Sequence, residues 1–118
     1  MDVRLHNASQ LAGFTKQQDL EYFLHEIADI EYRHEPLLAP SEEMLAAYKR
    51  RKTIPWDEYE TEFNALIADR RIEDHIPRDF FAKPTVLLCS EPEPDNCHRR
   101  LVAEHLQCKW GDVKIIHL

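Results

Sequence analysis

"TVLLCSEPEPDNCHRRLVAEHLQ", Thr85 to Gln107, is the stretch on which the fold assignment turns. "TVLLCS" has three large aliphatics in a row and no polar alternation, the pattern of a strand buried on both faces. The loop from Ser90 to Asn96 is acidic and broken by Pro92 and Pro94. "CHRRLVAEHLQ" then predicts a helix with Asp95 or Asn96 as its N-cap. A buried strand leading into a helix is a repeating unit of α/β folds, and the same alternation can be traced elsewhere in the chain.

Working outward, "DVRL" (Asp2–Leu5) reads as a short first strand, followed by a helix within "GFTKQQDLEYFLHEI". Thr15 is its candidate cap, and Leu20, Phe23, Leu24 and Ile27 share helical spacing. "IEYRHE" alternates as a half-buried strand does. Ser41 is placed to cap a helix in "PSEEMLAAYKRR", with Met44, Leu45 and Tyr48 inward. "IPWDEYETEFNALIADRRI" predicts a third helix, with Pro55 near its first turn and Tyr59, Phe63, Leu66 and Ile67 as its apolar stripe. Pro77 and Pro84 break the connection that follows, and "VKIIHL" closes the chain as a further strand. The sequence therefore predicts one α/β domain over residues 1–118, a mostly parallel sheet of about four strands with helices on both faces.

Composition narrows the function classes. Hydrophobic residues make up 43% and charged residues 31%, which suits a soluble globular chain and not a disordered one. No apolar run approaches the roughly 20 residues of a membrane helix, and no signal core opens the chain, so the expected location is cytoplasmic and no membrane partner is expected. The 22 acidic and 15 basic residues give a net charge of −7, which disfavours nucleic acid unless the cations cluster. "KRRK" (Lys49–Lys52) is one cluster, but it reads as a solvated helix end. The odd cysteine count, three, argues for reduced thiols over a disulfide framework.

In open parallel sheets, sites gather at the carboxyl ends of strands. His6 to Ser9, His34–Glu35 and Cys89 to Arg100 all fall there. Cys97 at a helix N-terminus beside Arg99 and Arg100 reads as an activated thiol or part of an anion-binding turn. The alternative is a packed thiol with solvated arginines. Cys89 ends an apolar strand and reads as a buried structural thiol. A phosphatase-type loop is excluded: the arginine it needs six positions after Cys89 is Asp95, and Glu91, Glu93 and Asp95 would repel phosphate. Cys89, Cys97 and His98, joined by His34 or a carboxylate, are a conceivable N/S metal set. Their spacing is not a standard zinc pattern, so neither a metal nor another cofactor is expected.

The segment "LLCSEPEPDNCHRRLVAEHL" resembles the signature of the family called domain of unknown function 488, as do "DVRL" with its downstream "GF", "IEYRHEPLLAP" and the final "VKIIHL". The resemblance spans essentially the whole chain and implies an α/β fold with a shared pocket, but no settled activity. It carries the family's polar motif positions onto Asp2, Arg4, Ser9, His34, Cys89, Glu91, Cys97, His98 and Arg99. Members carry an earlier strand and a Gly-His-Ser type turn, whereas this chain begins at Met1-Asp2, so that strand is expected to be missing here. The expectation is a site for a small anionic or nucleotide-like ligand. Cys97 and His98 are the candidate catalytic groups, Arg4, Ser9, His34, Glu91 and Arg99 bind substrate, and Asp2 and Cys89 support them. The alternatives are a non-catalytic interaction domain built on a buried polar network, and a metal or thiol-redox site. An exposed sheet edge would also favour self-association.

Overall fold

Helices organise the chain. The computed structural model describes residues 1–6, 17–91 and 93–118. Helix α1 spans Gln17–Ala28, α2 Glu42–Leu45, α3 Trp56–Asp69, α4 Ile72–His75 and α5 His98–Trp110. Short 3-10 turns occupy Pro36–Leu38 and Arg78–Ala82. Ser41 caps α2 as its type predicts, its hydroxyl accepting from the Met44 amide at 3.2 Å. Beyond Leu45 the helix widens over Ala46–Arg50, where the Arg51 amide reaches back five residues to the Ala46 carbonyl.

Pro55 caps α3, where its missing N–H costs nothing. Tyr59, Phe63 and Ile67, each four residues apart, put one buried stripe on that helix. The stripe packs on α5, whose Leu101, Val102 and Leu106 are buried, and Val3, Leu38, Met44 and Ile72 close the core. Arg71, at φ 50°, makes the left-handed break between α3 and α4. Gly111, at φ 83°, ends α5, with its amide on the Gln107 carbonyl. The Thr15 cap, Gly13, Phe14 and Ser9 lie outside the described residues.

The α/β expectation is overturned: among the described residues there is no sheet. Three of the four expected strands do meet, but only at isolated parallel bridges, Asp2 with His34 and Asp2 with Leu88. The Asp2 amide donates to the Arg33 carbonyl at 2.7 Å and the Glu35 amide to the Asp2 carbonyl at 2.9 Å. On the other side the Val3 amide donates to Leu88 at 3.0 Å, and the Leu88 amide to Met1 at 2.9 Å.

Pairing stops there for a physical reason. The next backbone groups of the first segment are taken by side chains. The Arg4 amide donates to Asp2 Oδ1 at 3.1 Å, His34 Nε2 donates to the Arg4 carbonyl at 2.8 Å, and His98 Nε2 donates to the Val3 carbonyl at 2.8 Å. Such bonds compete directly with a ladder. Pro36 ends the second segment immediately after Glu35. "VKIIHL" makes no bridge, and Ile116 is 67% exposed. The edge on which self-association was to rest is therefore not formed among the described residues. No helix among them is long and apolar enough to cross a membrane.

Candidate functional site

The polar residues singled out by the sequence separate into two groups. The first is a closed network around Asp2, which is buried. Arg4 holds its carboxylate by a fork, Nε to Oδ1 at 2.9 Å and Nη2 to Oδ2 at 2.7 Å, and the Tyr32 hydroxyl donates to Oδ2 at 2.6 Å. Burial alone would push the Asp2 carboxyl up. The hydrogen bonds from Arg4 and Tyr32 and the Arg4 charge outweigh it and hold the group below its ordinary value. The same pairing keeps Arg4 firmly cationic. His34 extends this network through the Arg4 carbonyl.

The second group is Cys89, Cys97 and His98. A tight turn, closed by the Cys97 amide on the Pro94 carbonyl at 3.2 Å, delivers Cys97 to the N-cap of α5 in extended conformation. The helix thus starts at His98, just after the predicted Asp95 or Asn96 cap, and runs further than predicted, to Trp110. The two sulfurs and the His98 ring nitrogen lie within 4.8 Å of one another. Cys97 is 1% exposed and His98 8%, while Cys89 is half-buried.

The tautomer of His98 follows from its partners. A carbonyl only accepts, so Nε2 carries the proton given to Val3. Nδ1 faces Cys89 Sγ at 3.7 Å, accepting from a Cys89 thiol when the ring is neutral and donating to a Cys89 thiolate when the ring is charged. Phe63 packs on the ring edge-to-face, with centroids 5.5 Å apart, and fixes its plane.

The two thiols are driven in opposite directions. Hydrogen bonding from the Cys97 thiol, opposed by burial and aided by His98, pulls Cys89 down towards thiolate. Cys97, donating to Cys89 and buried, is pushed up, and the amide and charge of Arg99 only partly offset this. The sequence placed the activated thiol at Cys97; the geometry gives thiolate character to Cys89.

These groups form the floor of a cavity of about 240 Å³. Pro40 enters from just before α2, Leu45, Tyr48 and Lys49 from α2 and its widened turn, Trp56 and Tyr59 from α3, and Arg4, Leu5 and His6 from the first segment. The three aromatic rings pack together, Tyr48 to Tyr59 at 4.8 Å and Trp56 to Tyr59 at 5.2 Å between centroids. Lys49 is ion-paired with Glu91, which also lines the cavity. Arg99 donates to the Glu91 carbonyl at 2.6 Å and lines a second, larger groove of about 950 Å³. That groove runs along residues 78–88 and the C-terminal segment, and Cys89 lies between the two openings. Arg100 turns from the thiols to Glu60 and Glu104, at 3.0 Å each, joining α5 to α3.

The structure therefore brings Arg4, Glu91, Cys89, Cys97 and His98 to one cavity, whereas His34 and Asp2 stand behind it and Ser9 lies outside the described residues. Sequence reasoning missed the aromatic wall. Trp56 and Tyr59, three residues apart directly after Pro55, were its available signal.

No curated protein and no solved structure matches the chain. A family model does match, over residues 1–106, and it covers both groups of polar residues. The chain belongs to the family described as Domain of unknown function DUF488.

Proposed function

We propose that this protein binds a small planar molecule, of nucleobase or nucleoside type and low charge, in the cavity above Cys89, Cys97 and His98. The observation that carries this reading is the joining of an aromatic wall to a Cys/His floor in one cavity. At about 240 Å³ it falls short of the roughly 300–1,000 Å³ of drug-sized sites, which limits the enclosed part of the ligand to about one ring system, such as a free base or the base of a nucleoside. Tyr48, Trp56 and Tyr59 offer apolar surface to a ring. Lys49 supplies one cation, and its pairing with Glu91 favours a weakly anionic group over a polyphosphate.

A second reading rests on a different observation. The network of Asp2, Arg4, Tyr32 and His34 is mutually hydrogen-bonded around a buried Asp2–Arg4 pair, so Asp2, Tyr32 and His34 serve position and stability, and Arg4 is held by Asp2 at the edge of the cavity. The readings are compatible, because the network fixes the segment whose Val3 carbonyl orients His98.

The test is a set of thermal melts with purine and pyrimidine nucleosides and their 5′-monophosphates. At least one should raise the midpoint by several degrees, with the nucleoside doing as well as its monophosphate, and the rise should disappear in Trp56→Ala. No rise with any of them, or a rise indifferent to Trp56, would refute the proposal.

A further inference from the structure

We propose that Cys89, Cys97 and His98 are a three-ligand site for a zinc-type divalent cation, with a fourth coordination position open to the cavity. This goes beyond the ligand proposal and does not depend on it, since the ion itself is the probe.

Four observations support the site. The donor set is two thiolate sulfurs and one imidazole nitrogen, the soft and borderline ligands that favour zinc over magnesium or calcium. The donors already lie together: a tetrahedral zinc site needs sulfur and nitrogen about 3.5 Å apart and two sulfurs about 3.8 Å apart. Cys89 Sγ and His98 Nδ1 are at 3.7 Å, and all three atoms lie within 4.8 Å. Small side-chain rotations close the difference.

Third, His98 is held as a metal ligand is held. Its far nitrogen donates to the Val3 carbonyl, which aims Nδ1 at Cys89 Sγ and, in the neutral ring, gives it the lone pair a metal takes. Fourth, charge and access agree. One dication, two thiolates and a neutral imidazole sum to zero, a combination that a buried site tolerates where a lone thiolate is costly. All three residues line the cavity, so the fourth position has room for water or a ligand atom. On binding, each thiol loses its proton to solvent as its sulfur bonds the ion, with no change of oxidation state.

The irregular spacing of Cys89 and Cys97 hid the site in the sequence. The tight turn from Pro94 to Cys97 leaves the second cysteine beside the first, so distance in the chain does not measure distance in space.

The experiment titrates the reduced full-length chain with Co²⁺ as a spectroscopic substitute and then displaces it with Zn²⁺. One equivalent should bring up near-ultraviolet sulfur-to-cobalt charge-transfer absorption and the strong visible bands of a tetrahedral ion, and zinc should abolish both. Zinc loading should protect Cys89 and Cys97, but not Cys108, from alkylation followed by mass spectrometry. Cys89→Ser and Cys97→Ser, checked for folding by circular dichroism, should each weaken binding by at least about 100-fold, the upper end of what losing an outer partner costs. Cys108→Ser should bind as wild type does. Absence of the charge-transfer band in the wild type, unprotected Cys89, or full binding in a folded Cys89→Ser would overturn the proposal.

Discussion

Among the described residues Asp2 is the one buried carboxylate. Its carboxylate accepts from the Arg4 guanidinium and the Arg4 amide, both buried, and from the half-buried Tyr32. Removing its charge leaves the buried Arg4 uncompensated, so Asp2→Asn should cost about 3–5 kcal/mol in denaturant unfolding at neutral pH. The pH dependence has a definite sign. A carboxyl held below its ordinary 3.8 in the folded state stabilises the fold above that value, and this stabilisation is lost as pH falls through the lower folded value. The gap between wild type and Asp2→Asn should therefore be full at neutrality and narrow below about pH 4. A gap that stays constant across that window would show that Asp2 does not titrate as its surroundings require. At the same scale, His98 joins both halves of the account: one nitrogen ends the backbone pairing at Val3, and the other meets Cys89.

The elements differ in how far they could be read from the sequence. Helices α2, α3 and α5 were legible because their signals are local: Ser41 as a cap, Pro55 at a start, and the Tyr59, Phe63, Ile67 spacing. The sheet was misread because apolar runs such as "TVLLCS" and "VKIIHL" show a capacity to pair, whereas pairing depends on which groups reach the backbone first. The claims of Asp2, His34 and His98 on residues 3 and 4 are long-range or depend on side-chain direction, and periodicity is silent on both. Two substitutions separate the architectures. Phe63 is fully buried between α3 and α5 and should cost about 3–5 kcal/mol as Phe63→Ala. Ile116 would be core in a four-stranded sheet, but here it is exposed, and Ile116→Ala should change stability by no more than about 0.5 kcal/mol. A loss of several kcal/mol at Ile116, read from urea midpoints, would restore the sheet.

At the scale of the whole molecule, a helical core presents one small cavity in which the motif residues converge from distant parts of the sequence. The first segment supplies Arg4, α2 and α3 supply the aromatic wall, and the 89–98 turn supplies the sulfur and imidazole groups. Part of the candidate site was visible in advance because the Cys97-His98 pair opens a helix. The partnership of Cys89 with His98 was not visible, since it depends on the Pro94–Cys97 turn that places the start of α5. With a net charge of −7, the surrounding field also disfavours polyanions, in keeping with a ligand of low charge. The claim on which everything else rests is that Cys89 and Cys97 face each other in the native chain while Cys108 stands apart. A trivalent arsenical, which bridges two adjacent thiols, tests this without any metal. Under native conditions one arsenic should bind per chain, mapped by mass spectrometry to Cys89 and Cys97, retained in Cys108→Ser and lost in Cys89→Ser. No uptake by the folded protein, or a bridge that includes Cys108, would contradict it.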